Sequence, residues 1–258
     1  MSPVLHKFPT VSELTKNFIN QLIIVQNKAI EERGKFIIGL SGGSIINVLH
    51  ALVQPEFHGL IHWSKWLIFF CDERLVPLDD LTNSTYAQFK EKVLDNLKTE
   101  EGPVVYTINE NLISFQEYDK IAQEYETLIV DNVINNNKFT GAHGKFDLLL
   151  LGCGPDGHTC SIFPGETHKY LIDNKDDKYV LYCHDSPKPP PNRITMTFKT
   201  LGSTHHIWFI AMGSSKVDIL KDIFISKNTN LPCVKVNQSF NNIVEWFVDE
   251  SSVKGLPL

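Results

Sequence analysis

Short apolar segments that alternate with helical patterns constrain this chain most. Residues 36–40, 66–71 and 146–151 are largely apolar and too short to be buried helices, which is typical of strands covered on both faces. Between them, residues 12–33 and 84–97 place apolar side chains at every third or fourth position. Strands alternating with helices favour a parallel sheet. The sequence therefore predicts an α/β fold with one doubly wound, mostly parallel, Rossmann-like sheet and helices on both faces.

The pattern continues to the end of the chain. Ser12 is a candidate N-cap for the first helix, and Ser114-x-x-Glu117 reads as a capping box that opens another. The polar segment 134–144 predicts a loop. We expect further strands at residues 179–183, 194–198, 206–212 and 233–236, with a helix at 215–225. Because no segment resembles a linker, residues 1–258 are interpreted as a single domain.

Charge and cysteine content exclude several classes of protein. The chain has 24 basic and 30 acidic residues, a net charge of −6, which disfavours a nucleic-acid binder led by electrostatics. The five cysteines form no CxxC pair, which disfavours disulfides and a metal site. No run reaches the roughly 18 apolar residues of a membrane helix, and residues 1–10 lack a signal-peptide pattern. We expect a cytoplasmic protein, a monomer without metal, nucleic-acid or membrane partners.

Ligands of parallel α/β sheets bind at the carboxyl ends of the strands, so the residues that follow each strand matter most. Ser41, Gly42, Gly43 and Ser44 follow the strand at 36–40 and precede a helix. Two glycines let the backbone approach a ligand, and helix-opening N–H groups suit a phosphate. The alternative is a plain tight turn capped by serine.

Asp72, Glu73 and Arg74 follow the strand at 66–71. The functional interpretation is a carboxylate and a guanidinium at the mouth of the sheet, where arginine would bind an anion or stabilise developing negative charge. The alternative is a solvated loop.

A glycine-rich segment follows the strand at 146–151. Gly152, Gly154 and Gly157 spell G-x-G-x-x-G, the pattern of a dinucleotide-binding loop. That function requires a following helix, and Pro164-Gly165 interrupts any helix here. The dinucleotide interpretation is therefore rejected.

The same loop carries Asp156 and His158. Because the intrinsic pKa of histidine is near neutral, a histidine at this position is a natural general base. A histidine with a purely structural role is the alternative.

Two further cations lie at predicted strand ends. Arg193 precedes the strand at 194–198, and Lys216 follows Gly213 after the strand at 206–212. The chain has only three arginines, and while Arg33 ends the first predicted helix, Arg74 and Arg193 both fall at the predicted pocket. A planar guanidinium can grip an anion at two points, which lysine cannot do.

Taken in order, these motifs resemble the 6-phosphogluconolactonase family, and residues 152–168 and 183–190 are especially similar to its fungal members. The motifs are Ser41-Gly42-Gly43-Ser44, Asp72-Glu73-Arg74-x-Val76-Pro77, Gly152-x-Gly154-x-Asp156-Gly157-His158-Thr159, Pro191-x-Arg193-Ile194-Thr195 and Gly213-x-x-Lys216. The resemblance implies a fold of the sugar-phosphate isomerase type. It also implies hydrolysis of 6-phospho-D-glucono-1,5-lactone to 6-phosphogluconate in the pentose phosphate pathway, without metal or organic cofactor.

For that reaction, the chemistry of the side chains predicts roles for individual residues. His158 would act as the base that activates water. Arg74 or backbone N–H groups of the glycine-rich loop, which includes Gly154 and Gly157, would hold the oxyanion. Asp156 or Asp72 would orient the imidazole or bind sugar hydroxyls. The remaining residues would bind the 6-phosphate: Ser41, Gly42, Gly43, Ser44, Arg193 and Lys216.

Two alternatives stay open at this point. The related glucosamine-6-phosphate deaminases share the Gly-x-Asp-Gly-His loop but usually have an aromatic residue where this chain has Arg74. A non-catalytic relative that binds a sugar phosphate is the second alternative. The chain also departs from many bacterial members, because Ser44 is followed by Ile45-Ile46 and not by Thr-Pro.

Overall fold

A parallel sheet of seven strands forms the central layer of the computed structural model, which describes residues 3–135 and 144–258. Within these residues the strands are β1 (Val4–Phe8), β2 (Phe36–Leu40), β3 (Trp66–Phe70), β4 (Asp72–Arg74), β5 (Val104–Val105), β6 (Phe146–Gly152), β7 (Val180–Cys183), β8 (Arg193–Met196), β9 (Thr204–Ala211) and β10 (Val244–Asp249). The central sheet has the order β1-β10-β9-β6-β2-β3-β5, and a second, antiparallel sheet has the order β4-β8-β7.

Helices cover both faces of the central sheet. They are α1 (Val11–Arg33), α2 (Ser44–Leu49), α3 (Thr85–Lys92), α4 (Tyr118–Ile129), α5 (Lys169–Asp173), α6 (Phe198–Leu201), α7 (Val217–Phe224) and α8 (Pro232–Ser239). Alternate residues of β6 contribute to opposite faces: Leu148 and Leu150 join the core that contains α1, whereas Leu149 and Leu151 join the core that contains α4 and α7. The predicted doubly wound α/β fold is confirmed.

Several predicted elements are confirmed with small changes of boundary. β2 matches its prediction, and β3, β6 and β9 differ from theirs by one or two residues. The predicted helix over 84–97 ends early, because α3 gives way to a 3₁₀ turn at Leu94–Asn96. Most of the predicted loop at 134–144 lies outside the described residues.

Other predictions were wrong for identifiable reasons. Residues 233–236 lie in α8, because Pro232 occupies the first turn of a helix that the alternation Cys-Val-Lys-Val conceals. The strands β7 and β8 form, but they belong to a second, antiparallel sheet and not to the single parallel sheet that was predicted. Asp72–Arg74 is a strand, which excludes the alternative of a solvated loop.

The two predicted helix caps were also wrong. Thr10 caps α1 in place of Ser12, because its Oγ1 accepts from the Glu13 N–H at 3.1 Å. The box at Ser114 does not form: α4 begins only at Tyr118, and the hydroxyl of Ser114 donates to the carbonyl of Asn111.

A buried ion pair ties α1 to the centre of the sheet. Arg33 donates from Nε at 2.9 Å and from Nη2 at 2.8 Å to Oδ1 of Asp147 on β6, which is almost fully buried. The other carboxylate oxygen accepts from the backbone N–H of Ile37 on β2 at 2.7 Å. Burial raises the pKa of Asp147 although Ile37 and Arg33 both favour its charged form. Asp147 therefore depends on these partners for its charge.

In the described part of the chain, no helix combines the length and apolar character needed to cross a membrane. All five cysteines are buried and free.

We expect Arg33→Ala to lower the free energy of unfolding by about 3 kcal/mol, because it leaves the Asp147 carboxylate buried without its cation. Urea denaturation measures this change. Glu32→Gln is the matched control: it removes the other, largely exposed carboxylate beside Arg33 and should cost less than about 1 kcal/mol. Equal losses in the two variants would contradict the assignment.

Candidate active site

The chain leaves the central sheet at the end of β3 and enters the small sheet at once. Only Cys71 separates β3 from β4, and its carbonyl accepts from the Met196 N–H at 2.8 Å, which docks β8 beside it. The antiparallel register then places Asp72 opposite Thr195 and Arg74 opposite Arg193. Two positive side chains in register repel each other, so this arrangement favours an anion nearby.

A cleft of about 310 Å³ opens where β2, β3 and β6 end. Ten of the sequence-predicted site residues line it: Ser41, Gly42, Gly43, Ser44, Asp72, Arg74, Gly154, His158, Arg193 and Lys216. Asp156 and Gly157 do not line the cleft, although they belong to the same loop. A larger cleft of about 590 Å³ lies where β3 begins, away from these strand ends.

His158 and Asp156 form a pair on the glycine-rich loop. Nδ1 of His158 contacts Oδ1 of Asp156, which leaves Nε2 as the ring nitrogen available to a ligand. Burial by itself raises the pKa of Asp156, but the hydrogen bond and positive charge of His158, aided by Lys188, outweigh it and lower the pKa. Asp156 is therefore ionised at neutral pH and can hold the imidazole in one orientation.

Gly154 is needed for that pair to form. A Cβ on Gly154 would collide with Nδ1 and Cε1 of His158 and would crowd Oδ1 of Asp156. On its other side the imidazole packs against the buried ring of Phe163, with 4.6 Å between ring centroids. The loop thus clamps the histidine between a glycine and an aromatic ring.

Asp72 has a different environment. Its side chain is buried, and its Oδ2 accepts from the hydroxyl of Ser161 at 2.8 Å. In the structure, Asp156 and not Asp72 is therefore the partner of the His158 ring. Asp72 remains on the wall of the cleft, where it can bind a ligand hydroxyl.

Glu73 has a structural role and does not line the cleft. Its buried carboxylate accepts from the backbone N–H groups of Thr85 and Tyr86, each at 2.8 Å, and so caps α3. Burial raises the pKa of this carboxyl. The middle charge of the Asp-Glu-Arg motif thus orients the helix beside the cleft.

The three cations predicted from the sequence are each anchored by a backbone carbonyl. Arg193 donates from Nε to Pro190 at 3.0 Å and from Nη2 to Lys188 at 2.9 Å, and its guanidinium lies 5.8 Å from the Phe163 ring centroid. Burial lowers the pKa of Arg193; the nearby charge of Asp72 opposes this shift, and that of Arg74 adds to it.

The other two predicted cations are held in the same way. Arg74 donates from Nη1 to the carbonyl of Asn83 at 2.6 Å. Lys216 donates to the carbonyl of Cys153 at 2.6 Å. Each cation is therefore positioned before any ligand binds.

Two buried polar atoms on the cleft lack a hydrogen-bond partner among the described residues: Oγ of Ser41 and Nε of Arg74. Buried polar atoms are rarely left unpaired, so these two indicate a ligand with acceptor oxygens. Glycine is needed at both positions of the adjacent loop, because a Cβ on Gly42 would lie 3.0 Å from Oγ1 of Thr85 and Gly43 has a φ of 76°. Gly43 and Ser44 are exposed and line the cleft, so a ligand can approach this part of the loop.

Sequence reasoning missed three residues of this site. Phe163 packs against His158, Ser161 donates to Asp72, and Lys188 lines the cleft. Of the three, only Lys188 could have been noticed in the sequence. It lies in the run Ser-Pro-Lys-Pro-Pro-Pro, where prolines restrict the backbone.

Comparison with known proteins gives one consistent family. A family model described as glucosamine-6-phosphate isomerases/6-phosphogluconolactonase matches residues 9–246. The chain is 44% identical to 6-phosphogluconolactonase 3 of Saccharomyces cerevisiae over 249 residues, which cover 95% of this chain and 94% of that protein. It is 39% identical over 264 residues to 6-phosphogluconolactonase 4 of the same organism, with 98% of each chain covered.

Solved structures share the fold. 6-phosphogluconolactonase from Trypanosoma cruzi superposes with a TM-score of 0.81 at 24% identity, covering 100% of this chain and 99% of that chain. The corresponding protein from Thermotoga maritima gives 0.73 at 26% identity, covering 96% of this chain and 99% of that chain.

We expect Gly154→Ala to displace the imidazole of His158 from Asp156 while the protein stays folded, because the new methyl group occupies the position of the ring. Nitrogen NMR of labelled histidine measures the loss of the Nδ1 hydrogen bond. Gly152→Ala is the control, since a Cβ there meets no atom within 4 Å. Unchanged histidine signals in Gly154→Ala would refute the clamp.

Proposed function

Because the chain belongs to the glucosamine-6-phosphate isomerase/6-phosphogluconolactonase family, we propose that it hydrolyses 6-phospho-D-glucono-1,5-lactone to 6-phospho-D-gluconate, with His158 as the general base. The observation that carries this proposal is the His158–Asp156 pair in a cleft that also presents Arg74, Arg193 and Lys216. A base and several fixed cations suit the hydrolysis of an ester that bears a phosphate.

The first step is the attack of water. Nε2 of His158 removes a proton from a water molecule as its oxygen attacks the lactone carbonyl carbon. Asp156 accepts the Nδ1 hydrogen bond, fixes the tautomer with a free Nε2 and stabilises the imidazolium that forms. The carbonyl oxygen becomes an oxyanion, which needs positive charge or N–H donors at a fixed position.

The second step opens the ring. The tetrahedral intermediate collapses, the bond from C1 to the ring oxygen breaks, and the imidazolium of His158 returns its proton to that oxygen. The net reaction consumes one water, and the new carboxyl group releases a proton. Both steps use the same histidine, so one correctly placed imidazole suffices.

The phosphate is assigned to a separate set of residues on the wall of the cleft. Arg193 and Lys216 supply the charge, and the hydroxyl of Ser41 and the loop through Ser44 supply hydrogen bonds. The unpaired Oγ of Ser41 supports this assignment. Because the carbonyl contacts of Arg193 and Lys216 already fix both side chains, little side-chain entropy is lost on binding.

A coupled assay tests the proposal: the lactone is generated in situ, and 6-phosphogluconate is followed with its dehydrogenase. We expect His158→Ala to lower kcat/KM by about 10²- to 10⁴-fold, because general acid–base catalysis typically contributes this much. His184→Ala is the control, since His184 approaches Asp185 at 3.8 Å outside the cleft.

Three outcomes would count against the proposal. If His158→Ala hydrolysed the lactone above the spontaneous rate and as fast as the wild-type protein, His158 would not be the general base. Release of ammonia from glucosamine 6-phosphate would identify a deaminase. Binding of 6-phosphogluconate without lactone hydrolysis would identify a non-catalytic sugar-phosphate-binding protein.

A further inference from the structure

Lys188 occupies a rigid position on the wall of the cleft. Its backbone N–H donates to Oγ of Ser186 at 3.2 Å, and its carbonyl accepts from Ser186 at 2.8 Å and from Arg193 at 2.9 Å. The segment closes through a hydrogen bond from the Ser186 N–H to the carbonyl of Pro191 at 3.1 Å. The backbone is therefore fixed, while the side chain is 40% exposed and free to move.

The ammonium group of Lys188 faces the proposed catalytic pair. Nζ lies 3.8 Å from Oδ1 of Asp156, the same oxygen that contacts Nδ1 of His158. This separation is too long for a hydrogen bond. Among the described residues no protein atom accepts a hydrogen bond from Nζ, whereas Arg74, Arg193 and Lys216 each donate to a backbone carbonyl. Lys188 is thus paired with Asp156 by charge alone, and its ammonium keeps its hydrogen bonds available for a ligand.

The reaction creates charge at a defined place. Hydrolysis converts the neutral carbonyl at C1 into an oxyanion and then into a carboxylate, while the charge of the phosphate at C6 is already present in the substrate. The attacked carbon must lie next to the water that His158 activates. Lys188 lines the same cleft as His158, so its long side chain can extend towards a ligand whose C1 lies beside Nε2.

We propose that Lys188 binds the C1 oxygen of the ligand, pairing with the oxyanion during hydrolysis and with the carboxylate of the product. This assignment rests on the proposed function. The flexible stem of lysine lets the ammonium move from Asp156 to the ligand as negative charge develops. Asp156 is then left to pair with the imidazolium of His158.

The position of Asp156 disfavours phosphate as the ligand of Lys188. A phosphate dianion on Lys188 would lie close to the carboxylate of Asp156, and with twice the charge of a C1 oxyanion or carboxylate it would be repelled more strongly. The C1 oxyanion forms only when His158 has gained a proton, so the imidazolium offsets the charge of Asp156. The hydrogen bond from His158 also lowers the pKa of Asp156 more than the charge of Lys188 does, so Asp156 stays ionised without the lysine.

Two probes that differ only at C1 test the assignment by titration calorimetry. 6-phosphogluconate carries a carboxylate there, whereas glucitol 6-phosphate carries a hydroxymethyl group. We expect Lys188→Met to weaken binding of 6-phosphogluconate by about 10-fold or more, the usual effect of losing a hydrogen bond to a charged group. Binding of glucitol 6-phosphate should change less than about 2-fold.

Lys178→Met is a closely matched control. Lys178 lies outside the cleft, its Nζ is also 3.8 Å from a carboxylate oxygen, that of Glu126, and its side chain is 44% exposed. We expect it to leave both affinities unchanged. Lys188→Arg keeps the charge and should recover part of the preference for the carboxylate.

Kinetics supply the second readout. A contact made mainly in the transition state lowers kcat with little change in KM, so Lys188→Met should show that split in lactone hydrolysis. Equal weakening of the two probes, a rise in KM alone, or no change in either probe would overturn the assignment while wild-type hydrolysis stays intact. Absence of hydrolysis by the wild-type protein would instead overturn the proposed function, and this assignment with it.

Discussion

The register of β4 against β8 is the constraint on which the cleft depends. It places Arg74 opposite Arg193, two like charges whose repulsion is partly offset by the carboxylate of Asp72 and which together favour a bound anion. The carbonyls that accept from these side chains hold them in place but do not neutralise their charge. The same register brings Asp72 level with Thr195, so one short antiparallel ladder positions a carboxylate and two guanidinium groups at the end of a parallel sheet.

That constraint explains how a protein with a net charge of −6 can bind an anion. Long-range steering depends on the overall charge, whereas binding depends on the few charges that face the ligand. Here the cations Arg74, Arg193, Lys188 and Lys216 all line one cleft, whereas Asp72 is the only acidic side chain among the described residues that line it. Most of the acidic surplus lies outside the cleft and does not face the ligand.

The pattern of apolar residues along the chain correctly predicted β2, β3 and β6, because these strands are buried by virtue of their own apolar side chains. The pattern did not predict roles that depend on a residue distant in the sequence: Glu73 caps a helix that starts twelve residues later, and Arg33 at the end of α1 pairs with Asp147 on β6. Most residues of the candidate site could be grouped from the sequence because they follow strands that end at one edge of the central sheet; Arg193, which begins β8 of the second sheet, is the exception. Lys188 was missed because only the folded turn brings it to Asp156.

The glycine-rich loop shows why a motif needs its structural context. In a dinucleotide-binding loop, the glycines let the backbone approach a pyrophosphate at the start of a helix. Here the loop folds back on itself, since the Gly154 N–H donates to the carbonyl of His158 at 2.9 Å and the Gly157 N–H donates to that of Gly154 at 3.0 Å. The space left by the missing Cβ of Gly154 is filled by the protein's own imidazole and not by a ligand. The same spacing of glycines therefore holds a histidine side chain here, where in a dinucleotide-binding loop it admits a pyrophosphate. The function of the motif depends on which group lies against its glycines.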